Sequence, residues 1–372
     1  MYTDQPIEFK RLIEDTRHTL KCIKEDVRLS CKIISNKKLY NILQLVIKRG
    51  NEFPGDYPKV TICDIRSHYK YLSSDHIYSA VNYDTIEIVK ENVKPMRDSS
   101  DIIHNVIHYI LYDEDGEICN QIENPTNKII VYLSKSLHRV KSIHLLKGGY
   151  NCFYNEFPYL CISNDTEKCQ ISVTPSLSDI NNIFKSKAIA ALQYPVILGW
   201  SNNYKIYLAN VFQGCHPEIT NQLMIKTIID YTTNGIHPKN QDIHYFHISN
   251  AEEQLDEYYI NQEGRYSSSL TDNILPFEET IKLLKQLLSE HSNKLDQIFP
   301  IMIVAVDSDN SKVALAAAII SYFRNWPITT SLIFILNQLG LDNLIIRKDS
   351  VLYKLFHPSN EHISQLLKIN LK

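Results

Sequence analysis

Residues 301–323 read IMIVAVDSDNSKVALAAAIISYF: an apolar run, a short polar break and a longer apolar run. The first run has the length and branched character of a buried strand. The second, residues 316–323 (AAAIISYF), reads as a buried helix. A strand that turns through a polar loop into a helix brings the first helical N–H groups to the end of the strand. Those groups lack intrahelical partners, and together with the helix dipole they favour an anion. The stretch therefore predicts an α/β unit with a phosphate-type loop around Asp307, Ser308 and Asp309.

The rest of the chain fits that class. At 372 residues it is long enough for two domains of ordinary size, each with its own core. A hydrophobic share of 44% beside 22% charged residues is that of globular protein. The formal net charge of −3 argues against a nucleic-acid or anionic-membrane binder, which needs a basic face. The eight cysteines are scattered, with no C-x-x-C pair and no His at zinc-site spacing. No metal and no cofactor is expected, and the thiols read as reduced and buried. No apolar run is long enough to span a bilayer, and MYTDQPIEFKR has no apolar signal core. The expected location is cytoplasmic.

After an N-terminal segment, 1–29, a first domain is expected at 30–160. Apolar residues at helical spacing follow Ser35, a suitable N-cap, across residues 34–47 (ISNKKLYNILQLVI). Short apolar segments read as strands at 59–65 (KVTICDI), at 106–113 (VIHYILYD) and from 143 (IHLLKGGY), the last ending in a turn. Strands alternating with helices predict a parallel sheet. These pieces carry a pattern: Asp64 and Arg66; then His76, Ile77, Ala80 and Asn82; then Leu146, Gly148, Gly149, Tyr150 and Phe153. It resembles the rhodanese domain.

That resemblance implies a sulfur-carrying cysteine opening the loop after the strand 106–113. The loop here is Asp113-Glu114-Asp115-Gly116-Glu117. Carboxylates cannot form a persulfide and they repel thiosulfate, so Asp113 marks a degenerate site. Cys119, a few residues on, is the one nearby thiol that could stand in. Asp64, Arg66 and His76 read as scaffold, through salt bridging and turn capping, because buried charges need partners.

Residues 161–193 are polar and mixed, and read as a linker with a short helix at 179–192. The second domain, 194–372, opens at Tyr194-Pro195-Val196-Ile197. Residues 205–208 (KIYL) and 211–214 (VFQG) read together as an entry hairpin. A helix at 217–223 follows, then strands at 226–231 (KTIIDY) and 245–248 (YFHI). A long helix from Ile274 sets Ile281, Leu284, Leu287 and Leu288 on one face. Residues 251–273 read as an insert, where Tyr258, Tyr259 and Arg265–Ser269 are candidate modification or partner sites. The last helix is expected at 358–368 (PSNEHISQLLK).

This half resembles the dual-specificity phosphatases, whose loop carries His-Cys, a Gly and Arg-Ser. In the register of the helix 316–323, His-Cys falls on Asp307-Ser308, the Gly on Ser311 and Arg-Ser on Ala314-Leu315. The general acid, expected after YFHIS, falls on Asn250. Such enzymes need a low-pKa thiolate, an Arg fork and a carboxylic acid for the leaving group. Ser308 has no evident base, Ala314 has no fork and Asn250 cannot donate as an acid does. Lys312 offsets only part of the negative charge of Asp307 and Asp309.

A rhodanese domain followed by this domain is the plan of the MAP kinase phosphatase family. The resemblance implies an α/β protein with a rhodanese-like parallel-sheet domain and a dual-specificity-phosphatase-like α/β domain, both without their catalytic groups. It implies a pseudophosphatase acting as a binding or scaffold protein in signalling. The implied partners are signalling proteins such as MAP kinases, and neither nucleic acid nor membrane. The family's kinase-docking cluster is a tight basic run. Lys90, Lys94 and Arg97 lie in that place, interleaved with Glu87, Glu91 and Asp98, so the patch is nearly neutral and a solvated loop is the simpler reading. An enzyme alternative exists. IMIVAVDSDNS also fits the strand and D-x-D-x-[TS] of haloacid-dehalogenase-like phosphatases, with Asp307 as nucleophile, Asp309 as acid and Mg²⁺ as cofactor. A motif this short is weak without its structural context.

Overall fold

The structure, a computed structural model, describes residues 31–48, 59–93, 107–116, 124–135, 140–163, 189–232, 234–236, 238, 242–248, 277–305, 311–339 and 357–368. The chain divides into two compact units. Unit one is Met1–Leu39 with Val46–Leu192, and unit two is Tyr40–Leu45 with Gln193–Lys372.

Unit one is built on strands β1 (Cys31–Ile34), β2 (Lys59–Asp64), β3 (His76–Ile77), β4 (Val81–Asn82), β5 (Ile107–Tyr112), β6 (Val140–Leu146) and β7 (Cys161–Ile162). Five of them form one parallel sheet in the order β1-β6-β5-β2-β4, while β3 and β7 pair antiparallel apart from it. Its helices are α2 (His68–Ser73), α3 (Ile86–Asn92), α4 (Pro125–Lys135) and α5 (Gly149–Glu156). They follow α1 (Asn36–Ile42), which continues as a π-helical turn, Leu43–Lys48.

The central strand β5 is apolar almost throughout because it is buried on both faces. Its alternate residues Tyr109 and Leu111 join Ile143, Leu145 and Cys63 against Val89 of α3 and Ile129, Ile130 and Leu133 of α4. Each such side chain contributes about 1.5–3 kcal/mol on burial.

Unit two has strands β8 (Val196–Gly199), β9 (Lys205–Ala209), β10 (Thr227–Asp230), β11 (His244–His247) and β12 (Ile301–Val304). Their order is β11-β10-β12-β9-β8, parallel except for β8, which runs antiparallel to β9. The helices are α6 (Val211–Cys215), α7 (Pro217–Gln222), α8 (Phe277–Glu290), α9 (Ser311–Arg324), α10 (Ile328–Leu339) and α11 (Asn360–Lys368). Every residue of α9 from Ser311 to Ser321 is buried, as an all-round apolar helix requires.

The two α/β halves and their parallel strands are present as expected. Two local readings differ. Residues 211–214 are helix α6, not the second arm of a hairpin, and the hairpin is formed instead by β8 and β9. The cause is a capping box. Asn210 Oδ1 accepts from Gln213 N (2.9 Å), and Gln213 Oε1 accepts from Asn210 N (3.0 Å), which starts a helix despite the strand-like Val-Phe. The helix after β12 begins at Ser311 rather than near Ala316, so the polar break before it is short. The expected insert 251–273, the N-terminal segment 1–29 and residues 179–188 of the expected linker helix lie outside the described residues. No helix among the described residues is long and apolar enough to cross a membrane.

Candidate functional site

In open α/β sheets, ligands sit beyond the carboxyl ends of the strands. In each unit a polar cluster stands at that end, beginning with an aspartate that closes an apolar strand.

In unit one Asp64 ends β2 and is fully buried. Arg66, two residues on, reaches back to it with Nε at 3.0 and 3.1 Å and Nη2 at 2.6 Å. The Tyr112 hydroxyl donates to Asp64 Oδ2 (2.8 Å) and accepts from Ile77 N (3.2 Å). Arg66 Nη2 also donates to the Asp75 carbonyl (2.8 Å), and the guanidinium lies 3.9 Å from the centre of the Tyr150 ring. Burial alone would lower the Arg66 pKa, but the Asp64 carboxylate more than offsets it and holds the guanidinium above its ordinary value. Burial and the same carboxylate push the Tyr112 phenol well up. Asp64 and Arg66 are thus a buried ion pair, the scaffold role expected of them. His76 is buried with its ring 4.3 Å from that of Tyr71.

The loop after β5 sits beside this pair. The Asp113 carboxylate accepts from Gly116 N (2.5 Å) and from the Thr126 hydroxyl (3.3 Å), and burial raises its pKa. The Asp113 carbonyl accepts from Tyr150 N (2.8 Å) and the Glu114 carbonyl from Asn151 N (3.1 Å). Gly149, at φ +55°, permits this approach, since a Cβ there would lie 2.6 Å from the Asp113 carbonyl oxygen. Glu114 points at the cations, 3.0 Å from Lys70 Nζ and 3.9 Å from Arg66 Nη1. Carboxylates, Asp113 and Glu114, therefore fill the loop that follows β5 and are held there by backbone and cationic partners. Cys119 lies outside the described residues.

A third group lies on the sheet face opposite Tyr109 and Leu111. His108 Nδ1 (2.7 Å) and His144 Nε2 (2.8 Å) share the Ser142 hydroxyl between them, and both imidazoles are buried. Burial, then the neighbouring His108, Lys32 and Lys38, lower the His144 pKa to about 4.

In unit two the loop 306–310, with Asp307, Ser308 and Asp309, lies outside the described residues, as does Asn250. The positions flanking the loop are described. Ser311 and Lys312 open α9 and are buried. Lys312 Nζ donates to the carbonyl of Ala209 at the end of β9 (3.3 Å). Ala314 and Leu315 are fully buried within the helix.

Asp230 ends β10 beside β12, fully buried, and the sequence reading missed it. Its carboxylate accepts from Thr232 N (2.9 Å), the Thr232 hydroxyl (2.7 Å), Ile236 N (2.6 Å) and the Tyr245 hydroxyl (2.6 Å). Burial and Asp230 together push the Tyr245 phenol up. The sequence held a signal for it. An aspartate closes the apolar run TIID just as Asp64 closes KVTICD.

Lys90 is exposed in the last turn of α3, and Lys94 and Arg97 lie outside the described residues. Among the described residues no three His, Cys, Asp or Glu side chains are grouped to hold a metal ion.

No protein-family model and no curated protein matches the chain. Among solved structures it is similar to human DUSP28, at 9% identity over 44% of this chain and 89% of that one, with a TM-score of 0.29. A mouse putative dual specificity phosphatase complexed with zinc tungstate is similar at 10% identity over 44% and 80%, with a TM-score of 0.28. Ygr203w, a yeast protein tyrosine phosphatase of the rhodanese family, is similar at 15% identity over 34% and 87%, with a TM-score of 0.24. Each likeness spans less than half of this chain.

Proposed function

We propose that the chain is a catalytically inactive phosphatase homologue that acts by binding, as a scaffold in phosphorylation signalling. In this reading a rhodanese-like unit precedes a dual-specificity-phosphatase-like unit, in the manner of MK-STYX, the serine/threonine/tyrosine-interacting-like protein. Its partners are signalling proteins of MAP kinase-type pathways, met in the cytoplasm.

The observation that supports this best is the burial of Ala314. In the register of the motif it stands where the phosphate-binding Arg belongs, and it is packed inside α9 with no surface exposed. Each charge-assisted hydrogen bond to a phosphoryl oxygen is worth on the order of 1.5–3 kcal/mol, so losing a bidentate fork is costly. Lys312, in the first turn of the same helix, is engaged with the Ala209 carbonyl. Ser308 in place of a thiol and Asn250 in place of an acid agree with it, and Asp113 does the same for unit one.

In this reading the degenerate loop is not the partner site, and recognition does not require phosphorylation. Calorimetric titration of the full chain with phosphotyrosine and phosphothreonine peptides tests it. No saturable heat is expected. Saturable binding competed by inorganic phosphate would overturn the reading.

A further inference from the structure

β1 is the end strand of the unit-one sheet, and among the described residues it pairs with β6 alone. In that parallel pair Lys32 and Ile34 turn their backbone groups to β6, and Lys147 N donates to Ile34 O (2.8 Å). Alternation then sends the N–H and C=O of Ile33 outward, away from β6. Among the described residues no group bonds to them. The Ile33 side chain is 54% exposed, and Lys32 is exposed beside it.

The two faces of this edge differ, because successive side chains of a strand point to opposite sides. Ile33 is in register with Leu145 and so stands on the apolar face of Leu145, Tyr109 and Leu111. Lys32 is in register with His144 on the other face. Lys38, from the first turn of α1, lies on that side too: after burial and His108, the Lys32 and Lys38 ammonium groups are what depress the His144 pKa. Glu156 is the carboxylate placed beside α1, where its Oε2 accepts from Asn36 Nδ2 (3.4 Å).

A lysine on an edge strand blocks pairing with any strand that has no carboxylate to meet it. With a carboxylate on the incoming strand, the same lysine selects for it. A strand laid along β1 sets its side chains alternately over the two faces. Its complement is therefore an acidic residue on the Lys32 side and an apolar residue beside Ile33.

We propose that the β1 edge docks an extended acidic segment of a partner protein, in which Asp or Glu alternates with apolar residues, as an added strand of the unit-one sheet. Backbone bonds to Ile33 hold the segment, and Lys32 with Lys38 reads its charge. The proposal rests on the reading of the chain as a binding protein and names the chemistry of a partner. Docking at β1 and hydrolysis of phosphate esters are separate readouts, so failure of either is distinguishable from failure of the other.

The test follows fluorescence anisotropy of a labelled peptide of alternating Glu and Val, and of its Lys-Val counterpart, on the full chain. Saturable binding is expected for the Glu-Val peptide alone. Lys32→Glu should weaken it about tenfold, by one lost attraction and one added like-charge repulsion. Bound peptide should slow hydrogen exchange at the Ile33 amide. Ile33→Pro deletes the outward N–H, leaves the bonds that residues 32 and 34 make to β6, and should abolish binding. No saturable binding, equal affinity for the Lys-Val peptide, affinity unchanged by Lys32→Glu, or unchanged exchange at Ile33 would each overturn the proposal. Should Ile33→Pro not fold, the exposed change Lys32→Glu and the exchange at Ile33 decide it.

Discussion

Asp64 and Arg66 illustrate what a charged residue does inside a small α/β unit. Moving two charges out of water is costly, and it is tolerated here because the Asp64 carboxylate is met by Arg66 and the Tyr112 hydroxyl. Removing one partner strands the other. Asp64→Ala should destabilise unit one by about 3–5 kcal/mol in denaturant titration, more than a typical surface change. His144 gives a second prediction. Its folded pKa, about 4, lies below the ordinary imidazole value. The native state therefore stays unprotonated where the unfolded chain takes up a proton. Stability from this group is present above about pH 6.5 and is lost as pH falls towards 4, on the order of 1–3 kcal/mol in all. The denaturation midpoint should drop between pH 7.5 and pH 5, and the drop should be smaller in His144→Gln. The Asp64–Arg66 pair was legible in the sequence because its spacing belongs to a pattern. Asp230 left only a partial signal, its place at the end of an apolar run, and its partners could not be read from the chain. Those partners are the backbone N–H groups of Thr232 and Ile236 and the hydroxyls of Thr232 and Tyr245, brought together by the fold, and such bonds leave no periodic trace in the chain.

At the scale of elements, apolar pattern located most strands, since a strand buried on both faces is written as a continuous apolar run. It failed at α6, where two capping bonds decided between strand and helix. Asn210→Ala removes the side-chain acceptor at that helix start and should cost about 1 kcal/mol, read as a lower thermal midpoint. The onset of α9 at Ser311 was missed for a related reason. Ser311, Lys312 and Val313 look like loop by composition, yet they are buried and helical. The loop after β5 was legible in its chemistry, if not in its geometry. The carboxylates Asp113 and Glu114 were plain. Their engagement with Gly116, Thr126, Lys70 and the Gly148–Gly149 turn needed coordinates. A loop so arranged carries no persulfide, so thiosulfate:cyanide sulfur transfer should be at background. Transfer above background that disappears with Cys119→Ser would contradict this.

At the scale of the whole molecule, length and strand–helix alternation were enough to expect two α/β halves. The division itself was less legible, because Tyr40–Leu45 belongs to unit two while lying in sequence within unit one. A cut between Leu192 and Gln193 would separate that segment from the rest of unit two. The central claim, that the chain binds and does not turn over phosphate esters, rests on groups at named positions: Ser308, Ala314 and Asn250. The most direct measurement is hydrolysis of an aryl phosphate and of phosphopeptides by the purified full chain, with and without Mg²⁺. The account predicts no turnover above the uncatalysed rate in either condition. Metal-dependent turnover abolished by Asp307→Asn would contradict it.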